Sequence, residues 1–128
     1  MHRYETHFHT AETSACASAS AEKQIKFYKS RGFTGVFVTD HFFNGNTCVP
    51  ASLPWNERVE RFCLGYENAK RVGDELGVDV FFGWEYSYMG ADLLTYGLDK
   101  QWLLNHPLLL KMDPNSYCDL VASEGGMI

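Results

Sequence analysis

His7 and His9 stand one residue apart in Tyr4-Glu5-Thr6-His7-Phe8-His9, a stretch whose alternation predicts a strand. Period-two spacing sends Thr6 and Phe8 to one side and both imidazoles to the other, where two nitrogens can address one ion. An isolated His-x-His is as much a feature of half-exposed strands as of metal sites, and two further groups tip the balance here. Asp40-His41 directly follows the apolar run Gly35-Val36-Phe37-Val38-Thr39, which adds a third imidazole and an aspartate able to orient it. Glu85 follows Val78-Asp79-Val80-Phe81-Phe82-Gly83-Trp84, where an unpaired carboxylate is costly to desolvate and a metal ion removes that cost. A carboxylate can also bridge two ions roughly 3.5–4 Å apart. These residues predict a divalent-metal centre with His7, His9, His41 and Glu85 as ligands, and with Glu85, His41 and Asp40 taking part in the chemistry.

Other reactive side chains read differently. His106, in Asn105-His106-Pro107, is far from any predicted strand end and is assigned a structural role, and His2 is a terminal residue. Cys16 lies on the loop after His9 and could reach the site as a soft ligand, but is read as an inert thiol. Once the metal ligands are assigned, no histidine is left to act as a general base, so a serine or cysteine nucleophile is not indicated.

The elements that must position these groups alternate in type. After the small-residue loop from Thr13 to Ser20, Ser20 caps a helix with Ala21, Ile25 and Tyr28 on one face, running to about Arg31 before Gly32. Gly35 to Thr39 is a strand of the kind covered on both faces. Asn56 caps an amphipathic helix carrying Val59, Phe62, Cys63, Tyr66, Ala69 and Leu76, which Gly77 ends. Val78 to Trp84 forms a third strand with Glu85 at its end, and Leu93 to Leu98 a further short one. Asp113-Pro114 opens a helix with Tyr117, Leu120 and Val121 on one face, Gly125-Gly126 stops it, and Met127-Ile128 opens another strand. Strands alternating with helices predict parallel βα units with right-handed crossovers, whose strand ends gather the polar residues on one rim.

Composition sets the class. At 128 residues, with 45% hydrophobic and 21% charged, the chain reads as one globular unit. No apolar run is long enough to span a membrane and the N-terminus lacks a signal-peptide stretch, which makes the cytoplasm the default expectation. The cysteines, Cys16, Cys48, Cys63 and Cys118, form no Cys-x-x-Cys pair and are expected to be reduced. A net charge of -5 offers no basic stripe for a nucleic-acid backbone, whereas a small phosphorylated substrate is compatible with it once metal ions offset the repulsion.

Glu5-Thr6-His7-Phe8-His9-Thr10, Val38-Thr39-Asp40-His41 and Gly83-Trp84-Glu85 resemble, in order, the first three motifs of the polymerase-and-histidinol-phosphatase (PHP) family. Ser14 and Tyr96-Gly97-Leu98-Asp99-Lys100 extend the similarity over almost the whole chain. The resemblance implies an α/β fold, a distorted (β/α)7 PHP barrel that holds up to three divalent ions, commonly zinc, manganese or iron, and hydrolyses phosphoesters. Residues 1–128 would be the N-terminal part of a single such domain, about its first half. By that resemblance His7 and His9 bind the first metal, Glu85 bridges the first and second, His41 belongs to a third, and Asp92 replaces another ligand histidine. Two departures follow: the loop reads Ser14-Ala15-Cys16 where the family often has an Asp or His, and the family's later ligands have no counterpart. At most one ion is then expected to be well held, and parallel strands that do not close a barrel would leave the chain prone to self-association. The alternatives are an amidohydrolase-type deaminase or amidase, which also begins with His-x-His but usually bridges its metals with a modified lysine, and a non-catalytic module that keeps only the fold.

Overall fold

The computed structural model describes residues 1–128, a mixed α/β arrangement around one four-stranded sheet in the order β1-β2-β3-β4. Its elements are β1 (Tyr4–Phe8), α1 (Ala21–Ser30), β2 (Gly35–Val38), α2 (Trp55–Phe62), α3 (Leu64–Leu76), β3 (Asp79–Tyr88), β4 (Ala91–Tyr96), α4 (Lys100–Leu104) and α5 (Pro114–Ser123), with a 3-10 turn at Leu109–Lys111. No helix is long and apolar enough to cross a membrane.

The strand β1 pairs in parallel with β2, and β2 with β3, as the alternation of elements predicts. The fourth strand departs from the expected parallel order. It starts at Ala91, before the predicted Leu93, and runs antiparallel to β3 through the two-residue turn Met89-Gly90. Both turn residues have positive φ, 48° and 85°, the conformation of a tight hairpin turn, and a connection that short cannot make the crossover a parallel pair requires. The third strand continues past Glu85 to Tyr88, so Glu85 lies within a strand and not at its end.

Helices cover one face of the sheet. Val78 and Val80 pack with Phe8, Val36, Val38, Ile25, Ala69 and Val72 under α1 and α3. Further along β3, Trp84 and Tyr86 enter a second core with Phe42, Phe62, Leu103, Leu109 and Tyr117. The residues between them, Phe81, Gly83 and Glu85, face the opposite, concave side, where Phe37 stacks on Phe81 at 4.7 Å between ring centres. That side is strongly curled. The Tyr96 hydroxyl on β4 donates to the Thr6 carbonyl on β1 at 2.7 Å, although β2 and β3 lie between and a flat sheet would hold the outer strands about 14 Å apart.

The single long helix expected between Asn56 and Gly77 is two helices. The break falls at Cys63, and the first helix begins at Trp55 after Pro54, with no side-chain cap from Asn56. Lys100 spans the break by pairing with Glu60 on α2 and Glu67 on α3, at 2.6 and 2.7 Å. The short helix α4 was not anticipated from periodicity, yet its start is signalled by Asp99, which accepts a hydrogen bond from the Trp102 N–H. Ser20 and Asp113 cap α1 and α5 as their types predict.

Candidate metal centre

Strand β1 does not alternate strictly. Glu5 lies opposite Val36 but Phe8 lies opposite Val38, so one extra residue is accommodated on β1, a bulge. Glu5 accepts a 3.4 Å hydrogen bond from the Tyr28 hydroxyl, and Phe8 packs 5.6 Å from the same ring, both on the helix side. Thr6, expected beside Phe8, instead borders a hollow of the concave face with Phe37, Tyr96 and Met127. The bulge lets Phe8 enter the core while His7 and His9 both turn to Glu85.

Three imidazoles converge on one carboxylate oxygen. Glu85 Oε2 lies 2.6 Å from His9 Nε2, 3.1 Å from His41 Nδ1 and 3.4 Å from His7 Nε2. Glu85 is 4% exposed although it points to the open side of the sheet. No lysine or arginine pairs with it; its ionic neighbours are these histidines alone. Burial, reinforced by the adjacent His41, pulls the His9 imidazole below its ordinary value despite the opposing pull of Glu85, which favours the neutral ring that metal ions require. His41 Nδ1 is buried and makes no hydrogen bond: it is close to Glu85 Oε2 but off the hydrogen-bonding direction. A buried ring nitrogen without a partner, beside a carboxylate without a fixed cation, is a donor set that a divalent ion fits.

Cys16, an inert thiol by expectation, places its Sγ 3.3 Å from His9 Nδ1. His9, Cys16 and His41 each offer a ligand atom within 4.8 Å of the others, as do His7, His9 and Glu85, so His9 is common to two adjoining groups. The position of Cys16 on the loop leaving the His-x-His strand was the available signal.

Asp40 does not orient an imidazole. Its carboxylate, 2% exposed, accepts from the Thr10 N–H at 2.6 Å, the Thr10 hydroxyl at 2.8 Å and the Ser14 hydroxyl at 2.7 Å. The same Ser14 oxygen accepts the His41 N–H at 3.0 Å. Asp40 thus fastens the loop after β1 and reaches His41 only through Ser14 and the backbone. Gln24, on α1, was not foreseen; its amide donates to the His9 carbonyl at 2.6 Å and ties that end of β1 to the helix.

Asp92 lies outside both groups. It accepts a 2.7 Å hydrogen bond from the Ser87 hydroxyl on the neighbouring strand. His106 is remote from the centre, stacked on Trp102 at 4.1 Å with Nδ1 against the Trp102 carbonyl, and His2 is near Thr34 at the opposite end of the first two strands.

No protein-family model matches the chain, and no curated protein sequence does. Among solved structures, a provisionally assigned metal-dependent phosphoesterase from Bifidobacterium adolescentis is similar at 15% identity with a TM-score of 0.49. The match covers 81% of this chain and 32% of that one, so the chain spans about a third of that protein's length. At that distance the likeness decides neither fold family nor activity.

Proposed function

We propose that this chain carries the first part of a metal-dependent phosphoester hydrolase of PHP type, acting on a small phosphorylated substrate. The observation that carries the reading is the buried Glu85 carboxylate, covered by three imidazoles and paired with no fixed cation. His7, His9 and Glu85 are the proposed holders of one ion, with His41 Nδ1, 3.1 Å from the same Glu85 oxygen, as the further ligand to it, and His9, Cys16 and His41 form a softer adjoining group. A divalent ion held there would supply Lewis acidity, lowering the pKa of a water toward neutrality and offsetting charge on phosphoryl oxygens. The chain's own contribution is to present His9 as a neutral ring, to keep Glu85 dry, and to hold the loop that carries Cys16 through Asp40, Thr10 and Ser14. Asp92 joins the proposal only as a carboxylate on the neighbouring strand, bonded to Ser87, that a second ion would have to recruit. No lysine lies in any of the four strands, which argues against the amidohydrolase alternative and its modified-lysine bridge.

The test is turnover of a phosphate monoester and of a cyclic amide by protein loaded with zinc or manganese. The reading predicts weak hydrolysis of the phosphate ester, as fits a chain that carries only the first part of such an enzyme, and expects chelation to stop it and Glu85→Ala to abolish it. Cyclic-amide hydrolysis, or ester turnover indifferent to both treatments, would contradict it; a metal-loaded protein with neither activity favours the non-catalytic module.

A further inference from the structure

The third imidazole stands where β2 has already ended. Val38 is its last residue, yet His41 still meets Glu85 in an isolated parallel bridge: the Glu85 N–H donates to the Asp40 carbonyl, and the Phe42 N–H donates to the Glu85 carbonyl. A continuing strand would next have offered the Phe42 carbonyl and the residue 44 N–H to Ser87. The chain turns away instead, and the Phe42 carbonyl accepts the Gly45 N–H at 2.9 Å. Asn44 makes good the loss with its side chain. Its amide Nδ2 donates to the Ser87 carbonyl at 2.6 Å, and its Oδ1 accepts the Ser87 N–H at 3.2 Å. One primary amide thereby takes the place of a strand residue and locks the turn to β3.

That turn brings Gly45 against the metal centre. A Cβ at Gly45 would lie 2.9 Å from Ser87 Oγ and 3.2 Å from His41 Nδ1, so the hydroxyl would have to turn and the imidazole to shift by a few tenths of an ångström. The space a side chain would need is filled by the imidazole nitrogen that is buried and unpartnered. We propose that Asn44 and Gly45 are positioning residues: together they hold the His41 ring against Glu85 before any ion arrives, so that His41 serves as a ready-made ligand. The inference rests on the metal-centre reading of the Glu85 cluster and adds to it the part of the chain that sets one ligand's geometry.

Zinc affinity, measured by competition with a chromophoric chelator, and long-range imidazole proton–nitrogen spectra test it in the wild type, Asn44→Ala, Gly45→Ala and the remote surface variant Asn105→Ala. Both positioning variants are expected to bind zinc about 10- to 100-fold more weakly, the loss typical of groups that orient metal ligands. In both, the His41 signals should stop responding to zinc while those of His7 and His9 still move, a signature that general loosening would not give. Asn105→Ala should match the wild type. If Asn44→Ala does not fold, Gly45→Ala, which keeps the Asn44 hydrogen bonds, decides alone. Wild-type affinity together with an intact His41 response in the folded variants would overturn the positioning role and leave the metal reading standing. Failure of the wild type to bind zinc would overturn both.

Discussion

Asp40 is almost wholly enclosed beneath the loop that follows β1, and burial pushes its carboxyl up to about 6 against the opposing pull of the Thr10 and Ser14 donors. An unfolded aspartate titrates at about 3.9. Between those values the folded chain holds a proton that the unfolded chain has released, so stability from this group is full below about pH 4 and is lost as pH rises through about 6. The whole change is on the order of 3 kcal/mol. Denaturant unfolding of metal-free protein should therefore show wild-type stability falling relative to Asp40→Asn across that window; a flat difference would mean the carboxyl is not perturbed. At this scale the sequence was informative where residue type alone carries meaning. His7, His9, His41 and Glu85 come together as their spacing and strand placement suggest. Cys16, Gln24 and Asn44 could not be ranked, because what each touches depends on loop path and helix register. Asp40 stands out by type and place, but its partners do not follow from the sequence, since a buried carboxylate accepts from whichever donors the fold brings, here hydroxyls and an amide and not the His41 ring.

The helix α3 approaches the loop after β1 at Gly65, whose N–H donates to the Thr13 hydroxyl at 3.3 Å. A Cβ there would overlap Thr10 Oγ1 and come within 2.7 Å of Asp40 Oδ2. Alanine improves helix propensity by about 1 kcal/mol over glycine, but overpacking a closed site costs about 1–3 kcal/mol. Gly65→Ala should then lower stability by up to about 2 kcal/mol net, with the Thr10–Asp40 bonds disturbed; an increase in stability by thermal or denaturant unfolding would show that the approach is looser than described. The strands β1, β2 and β3 and the helices α1 and α5 were visible in periodicity and capping residues. A strand at β4 was visible too, but its earlier start and antiparallel pairing were not, because Tyr88-Met89-Gly90-Ala91 is a weak turn signal whose only glycine takes the second position, and Met89 is forced to positive φ by the pairing of the strands around it. The break at Cys63 was equally hidden, since the apolar stripe runs through it and the turn serves packing against α4 and the close approach of Gly65.

Across the whole molecule the helices take one face of the sheet, and the concave face keeps its aromatic side chains partly open, with Tyr4 at 42% and Phe81 at 41% exposure beside Met127 at 64%. Strand β1 pairs on one side only. An apolar concave surface next to a free strand edge predicts association that rises with concentration, and Phe81→Ser should shift it toward monomer in light scattering; a concentration-independent monomer would show that the curled sheet shields itself. The same curl is what brings β1, the segment after β2, and β3 within reach of one oxygen, so the metal centre is a property of the folded sheet more than of any motif in it. The most direct test is metal content of folded protein after zinc loading and gel filtration, for the wild type, Glu85→Ala and His106→Ala. A centre built on Glu85 predicts about one tightly held ion in the wild type and in His106→Ala, and at least about 100-fold weaker binding in Glu85→Ala. Equal zinc in all three proteins, or none in any, would contradict it.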